Sequence, residues 1–150
     1  MEDQSSIAAL KNFEQAHKEL SEGNVLKALA CLEQALKLSD NRSWYSFLGF
    51  CIAKERGHLT KGYELCQMSI QHEPDNPLHY YFLARIHLVA KSKQEAIKTL
   101  RKGLATGDLH EIRKLLDELG TRKPAVFSRL KRDNIANKTI GYILSRLKLR

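Results

Sequence analysis

A chain of 150 residues, 43% apolar and 28% charged with 3 prolines and 8 glycines, can bury one sizeable core but not two ordinary domains, and has little room for long structureless stretches. Its three cysteines, Cys31, Cys51 and Cys66, are odd in number and form no CxxC pair, which argues against a disulfide framework and a structural zinc site. The formal net charge of +8 is uneven, with 14 Lys+Arg against 13 Asp+Glu in residues 1–109 and 11 against 4 in residues 110–150. An anionic partner is therefore admissible for the C-terminal portion, whether nucleic acid, anionic lipid or acidic protein.

The chain opens on Met1-Glu2-Asp3-Gln4-Ser5-Ser6, with acids where a secretory signal needs a basic start, and no apolar run nears the ~18 residues that span a bilayer. A cytoplasmic location is expected, and the glycosylation patterns at Asn41-Arg42-Ser43 and Asn137-Lys138-Thr139 are discounted accordingly. Apolar spacing and turn residues predict helices over residues 6–22, 25–38, 42–56, 59–73, 77–91, 93–106, 109–119 and 133–148. Pro77 suits the first turn of its helix, where an N–H would lack a partner anyway, and Gly120 suits a helix exit.

The helices come in a repeating pair. The first pair turns at Gly23-Asn24 and then carries small or apolar residues at Ala28, Leu32 and Ala35. The order returns at Leu48-Gly49, Gly57, Gly62, Cys66 and Ser69, closing on Pro74-Asp75-Asn76, and again at Leu83-Ala84, Ala96, Leu100 and Gly103. Ala28, Gly62 and Ala96 are 34 residues apart each time, and a small residue is needed there because paired antiparallel helices approach closely.

This pattern resembles the tetratricopeptide repeat, a 34-residue unit whose first helix carries an aromatic, a Leu-Gly step and a tyrosine and whose second carries alanines and ends in proline. Tyr45, Leu48 and Gly49 match in the second repeat, and Tyr80, Leu83 and Ala84 in the third. The departures are Asp40 in place of the first closing proline, an extra residue before Gly57, and no closing proline in the third repeat. The resemblance implies an all-α, short right-handed solenoid with repeats at about 9–41, 42–76 and 77–108. The amphipathic helix 109–119, with Leu109, Ile112, Leu115, Leu116 and Leu119 on one stripe, caps it, so that residues 1–120 form the solenoid unit.

Residues 121–132 hold a proline and five basic residues without a period and read as irregular. The final helix has Ile135, Ile140, Ile143, Leu144 and Leu147 along one face. Arg129, Lys131, Arg132, Lys138, Arg146 and Lys148 make this tail basic. Three readings of it stay open: docking on its own solenoid, lying on an anionic membrane surface, or holding nucleic acid or an acidic protein. Docking in trans would make a homodimer.

No chemistry-bearing motif stands out. Histidines at 17, 58, 72, 79, 87 and 110 form neither HExxH nor a Cys-His cluster, and no nucleophile elbow, phosphate loop or dinucleotide fingerprint is present. Glu33, Glu64 and Glu73 read as solvated or locally paired helix carboxylates. No catalysis, metal or cofactor is expected.

The resemblance also implies a concave groove lined by the first helix of every hairpin, where a peptide or helix of another protein is held. The positions carried over are Phe13 and His17, Ser46 and Phe50, and Tyr81 and Arg85, with Lys54 and Val89 extending the row. Aromatics beside cations suit a ligand with apolar anchors and some acidic groups. Phe13 and Phe50 have an alternative, which is packing between neighbouring hairpins. The lysines, asparagines and arginine with which some such proteins clamp chaperone tails are largely replaced, by Phe13, His17, Phe47 and Leu78. The expected function is thus a non-catalytic adaptor binding another protein, with the basic tail as the alternative site.

Overall fold

The computed structural model describes residues 2–120, which up to Leu119 form one compact unit. The predicted final helix and the basic residues Arg129, Lys131, Arg132, Lys138, Arg146 and Lys148 lie outside the described residues. The elements are α1 (Glu2–Ser21), α2 (Val25–Leu38), α3 (Tyr45–Arg56), α4 (Leu59–His72), α5 (Pro77–Val89), α6 (Lys93–Thr106) and α7 (His110–Glu118). They pair as antiparallel hairpins α1/α2, α3/α4 and α5/α6, and successive hairpins stack through α2 on α3, α3 on α5 and α4 on α5. This is an all-α solenoid.

The 34-residue period has a direct spatial meaning. Ala28, Gly62 and Ala96 are all buried against the partner helix, as are Leu32, Cys66 and Leu100 one turn later and Ala35, Ser69 and Gly103 after those. Three residues at spacings of three and four make the narrow stripe by which each second helix packs. The helices of the second hairpin approach very closely: a β-carbon on Gly62 would lie 2.8 Å from the Gly49 carbonyl oxygen, and one on Gly49 would lie 2.7 Å from that of Gly62. No side chain fits between those backbones.

The turns inside the hairpins repeat as well. Gly23 and Gly57 leave their helices at φ 82° and 70°, the left-handed region that favours glycine. The third hairpin places Lys91 there at φ 60°, a conformation that costs an L-residue roughly 1–2 kcal/mol. Its backbone still closes the helix, since Ser92 N–H donates to the His87 carbonyl at 2.8 Å as Asn24 N–H does to Glu19 at 2.8 Å.

Between hairpins the chain uses side-chain caps. The Asn76 side chain accepts from Leu78 N–H at 3.1 Å with Pro77 in the first turn, as expected for a proline there. Asn41 accepts from Ser43 N–H at 3.0 Å, and residues Arg42–Trp44 form a 3-10 turn, so α3 starts three residues later than the apolar spacing predicts. In place of the absent first proline, a polar cap and a tight turn end the first repeat. Beyond the third hairpin, α7 lays Ile112 and Leu116 against Ala84, Ala96 and Leu100, covering an apolar face that would otherwise meet water.

Candidate functional site

The first helices of the hairpins carry a ladder of aromatic rings across the three repeats. Phe13 of α1 stacks on Trp44 with centroids 4.6 Å apart and meets Phe47 of α3 edge-on at 5.0 Å. Phe47 lies 4.3 Å from Phe82 of α5, which also touches Phe50 at 5.8 Å and Tyr81 at 5.3 Å. Such pairs contribute ~0.5–1.5 kcal/mol each beyond simple burial, so the ladder fixes the stacking of one hairpin on the next. Phe13 and Phe50 serve this packing: Phe13 is partly covered between hairpins, and Phe50 is buried.

At its C-terminal end the ladder is topped by a charge. The Arg85 guanidinium sits 3.8 Å above the Phe50 ring and 5.4 Å from that of Tyr81. Burial pulls its pKa below the usual arginine range, and among the described residues no carboxylate lies within ion-pair distance of it. A partly desolvated guanidinium held over an aromatic ring, with Tyr81 as a hydrogen-bond partner, is suited to a planar anion.

Two cavities share this arginine. One of about 380 Å³ is walled by Phe50, Lys54, Tyr81, Arg85, Leu88, Val89, Leu115 and Glu118. A smaller one of about 130 Å³ is lined by His17, Leu20, Ser21, Phe47, Leu78, Tyr81, Phe82, Arg85 and Glu111. Tyr81 and Arg85 form the wall common to both. The sequence-derived positions His17, Phe50, Tyr81 and Arg85 are thus brought together, as are Lys54 and Val89, and α7 adds Leu115, which sequence reasoning had assigned only to capping.

Ser46 is placed elsewhere. It has no exposed surface and shares a buried stripe of α3 with Gly49, Phe50 and Ala53, facing into the protein, while its neighbour Phe47 faces the smaller cavity. The spacing is a signal in itself: Ser46 stands three residues before the Gly49 of the Leu-Gly step, on the same face of the helix.

What Ser46 does instead was not foreseen. Its O–H donates to His79 Nδ1 at 2.8 Å, and His79 Nε2–H donates to Glu73 Oε2 at 2.8 Å. The carboxylate can only accept, which fixes this tautomer. Glu73 also accepts from Ser43 O–H at 2.7 Å and from Asn76 Nδ2 at 2.9 Å, while Ser46 N–H donates to Ser69 Oγ at 2.9 Å, whose O–H donates to the Arg42 carbonyl at 2.7 Å. The Ser43 and Asn76 hydrogen bonds hold the Glu73 carboxyl down to about 2, and burial depresses His79 despite Glu73 beside it. Serine, histidine and glutamate in line look like a hydrolase triad, yet the serine lines neither of the two cavities and has no exposed surface. The relay instead ties α3, α5 and the loop between α4 and α5 together.

Two of the thiols are held unreactive by their setting, since burial pushes Cys51 up to about 12 and raises Cys66 as well, while Cys31 is half-buried. Among the described residues no three His, Cys, Asp or Glu side chains gather closely enough to hold a metal ion, and no helix is long and apolar enough to cross a membrane.

No family model and no curated protein matches the sequence. Among solved structures, the chain is similar to the first tetratricopeptide domain of Spaghetti (RPAP3) bound to the HSP90 peptide SRMEEVD, at a TM-score of 0.57 and 14% identity, over 77% of this chain and 92% of that one. It is equally similar to the tetratricopeptide domain of Sgt2 from Aspergillus fumigatus, with a TM-score of 0.57 and 15% identity, over 87% of this chain and 93% of that one. With three stacked hairpins, a 34-residue register of buried small residues and these neighbours, the chain has the fold of a tetratricopeptide repeat domain.

Proposed function

We propose that this protein is a non-catalytic interaction module that holds a peptide or helix of another protein in the groove walled by Tyr81 and Arg85. The observation that carries this reading is Arg85 itself: a guanidinium over the Phe50 ring, without a carboxylate within ion-pair distance among the described residues, between two cavities whose walls combine aromatic and aliphatic side chains with Lys54, Glu111 and Glu118. A ligand that seats an apolar side chain beside Leu88 and Leu115 and brings a carboxylate to Arg85 would match both halves of the site. The neighbour RPAP3 was solved with a peptide bound, which supports a protein ligand for this fold. Phe13, His17, Phe47 and Leu78 stand at or near the chaperone-clamp positions, so an HSP90-type tail is not the ligand proposed.

The test is affinity capture from nuclease-treated lysate, comparing the intact chain with a Tyr81→Ala, Arg85→Glu variant shown by circular dichroism to remain folded. One protein retained by the first and lost by the second is the expected result. If both retain the same material, the groove is not the site, and the basic tail with Arg129, Lys131, Arg132, Lys138, Arg146 and Lys148 takes its place.

A further inference from the structure

The third hairpin carries another surface, which the groove does not use. On the exposed side of α6, away from its buried stripe of Ala96, Leu100 and Gly103, the side chains Gln94, Glu95, Ile97, Lys98, Arg101, Lys102 and Ala105 line a shallow, open depression of about 510 Å³. None of these residues lines either groove cavity.

Three observations set this face apart. First, its charge has no counterpart in the other repeats. The equivalent helix α2 holds Lys27 and Lys37 with Glu33, and α4 holds Lys61 with Glu64, whereas α6 holds Lys93, Lys98, Arg101 and Lys102 against Glu95 alone. Second, Lys61 pairs with Glu64 at 3.7 Å and Glu33 with Arg56 at 2.8 Å, but among the described residues none of the four α6 cations has an ion-pair partner. Third, Lys91 stands at the entry to α6 with φ 60°, where the other two repeats have glycine. A strained lysine at a position that glycine fills without cost puts one more positive charge beside the same helix.

We infer that this face of α6 is a second docking surface, and that its occupant is an acidic amphipathic segment of a partner protein. Lys98, Arg101 and Lys102 stand three and four residues apart, the spacing at which carboxylates on a facing helix come into register. Ala105 stands among them, and Ile97, partly buried against the core, borders them, which gives an apolar side chain of the segment a contact beside its acids. A nucleic-acid strand would find no aromatic ring on this face for its bases, and a flat bilayer would not fill the depression. With the groove on the first helices and this face on α6, two partners could be held at once. The inference does not rest on the groove reading.

The probe is a fluorescein-labelled helical peptide with glutamates three and four residues apart around a central leucine, titrated against the intact chain by anisotropy. Replacing Lys98, Arg101 and Lys102 by glutamine removes exposed charges only, and should weaken binding about tenfold, the sum of three modest exposed pairs. Lys91→Gly should weaken it by about twofold while leaving Tm unchanged or raised, which a merely structural role would not produce. Neutralising Arg129, Lys131, Arg132, Lys138, Arg146 and Lys148, or replacing Tyr81 and Arg85, should leave the affinity within about twofold. Equal binding by the α6 variant, or loss confined to the tail variant, overturns the proposal. So does tighter binding of a uridine dodecamer or of phosphatidylserine vesicles through the same three residues, which would assign the face to another class of partner.

Discussion

Acidification from pH 7 to 5 is expected to destabilise the protein through His79, and the size of the effect follows from the relay in which it sits. The ring is 1% exposed, accepts from Ser46 on one side and donates to Glu73 on the other, so its neutral form satisfies both neighbours. Protonation would turn the Nδ1 acceptor into a donor facing the Ser46 hydroxyl and bury a charge. The charged and polar groups facing the ring are Glu73 and His72, with Ser46 opposite. Because the folded-state pKa lies below the ordinary 6.5, the unfolded chain binds the proton first. The stability is therefore complete above pH 6.5 and declines as pH falls toward the folded value, at up to ~1.4 kcal/mol per pH unit, or about 2 kcal/mol between pH 6.5 and 5 at most. His87, facing the Tyr63 hydroxyl at 3.2 Å and also depressed by burial, adds a loss of the same sign. Urea unfolding at pH 7 and 5 of the intact protein, His79→Gln and His87→Gln measures each share. His79→Gln should cost ~1–3 kcal/mol at pH 7, because Ser46 and Glu73 lose their partner, and should remove most of the pH dependence. Equal stability of the intact protein at the two pH values, or a full acid loss retained by His79→Gln, would refute the reasoning. Below pH 4.5 a further loss is expected as Glu73, depressed to about 2 when folded, protonates first in the unfolded chain, and Glu73→Gln should abolish it.

Three other substitutions probe the packing. Gly62→Ala should destabilise by ~1–3 kcal/mol in urea unfolding despite the better helix propensity of alanine, because the new methyl meets the Gly49 carbonyl oxygen at 2.8 Å and that backbone can yield only by separating α3 from α4. Ile112→Ala should cost ~2–5 kcal/mol by opening a cavity beneath α7, where Ile112 is fully buried, and a smaller loss would mean that α7 covers little. Lys91→Gly should raise stability by ~0.5–1 kcal/mol, the relief of a left-handed lysine less the added freedom of the unfolded chain, and a loss would show that the lysine stabilises the turn.

The hairpins were legible because their determinants are local and periodic. Ala28, Gly62 and Ala96 mark close helix contacts at one spacing, and Gly23-Asn24, Gly57 and Pro77 mark where helices stop and start, so each helix could be placed from its own residues. The 3-10 turn Arg42–Trp44 escaped notice because Asn41 competes for the backbone through its side chain, an effect that apolar spacing does not register. The site was legible in part. Tyr81 and Arg85 came from their place on α5, but nothing in the sequence says that Arg85 lies on Phe50, because that contact joins two repeats. The relay was illegible for the same reason: Ser46 and His79 are 33 residues apart, and either alone reads as an ordinary polar residue on a helix. Glu73 reads as a solvated or locally paired carboxylate, and Asn76 and His79 are indeed local partners, but Ser43 comes from 30 residues away, where no local pattern points to it.

The central claim, that the groove around Tyr81 and Arg85 is where a partner protein is held, is tested most directly by binding-induced shifts. A peptide selected from a display library by the intact chain, added to that chain labelled with nitrogen-15, should shift backbone amides of α3 and α5 around Phe50, Tyr81 and Arg85, and those of Leu115 on α7. Its affinity should fall by at least about tenfold in the Tyr81→Ala, Arg85→Glu variant, the loss expected when an aromatic anchor and a charge partner are removed together. Shifts confined to residues outside α1, α3, α5 and α7, with equal affinity in the two proteins, would contradict the account.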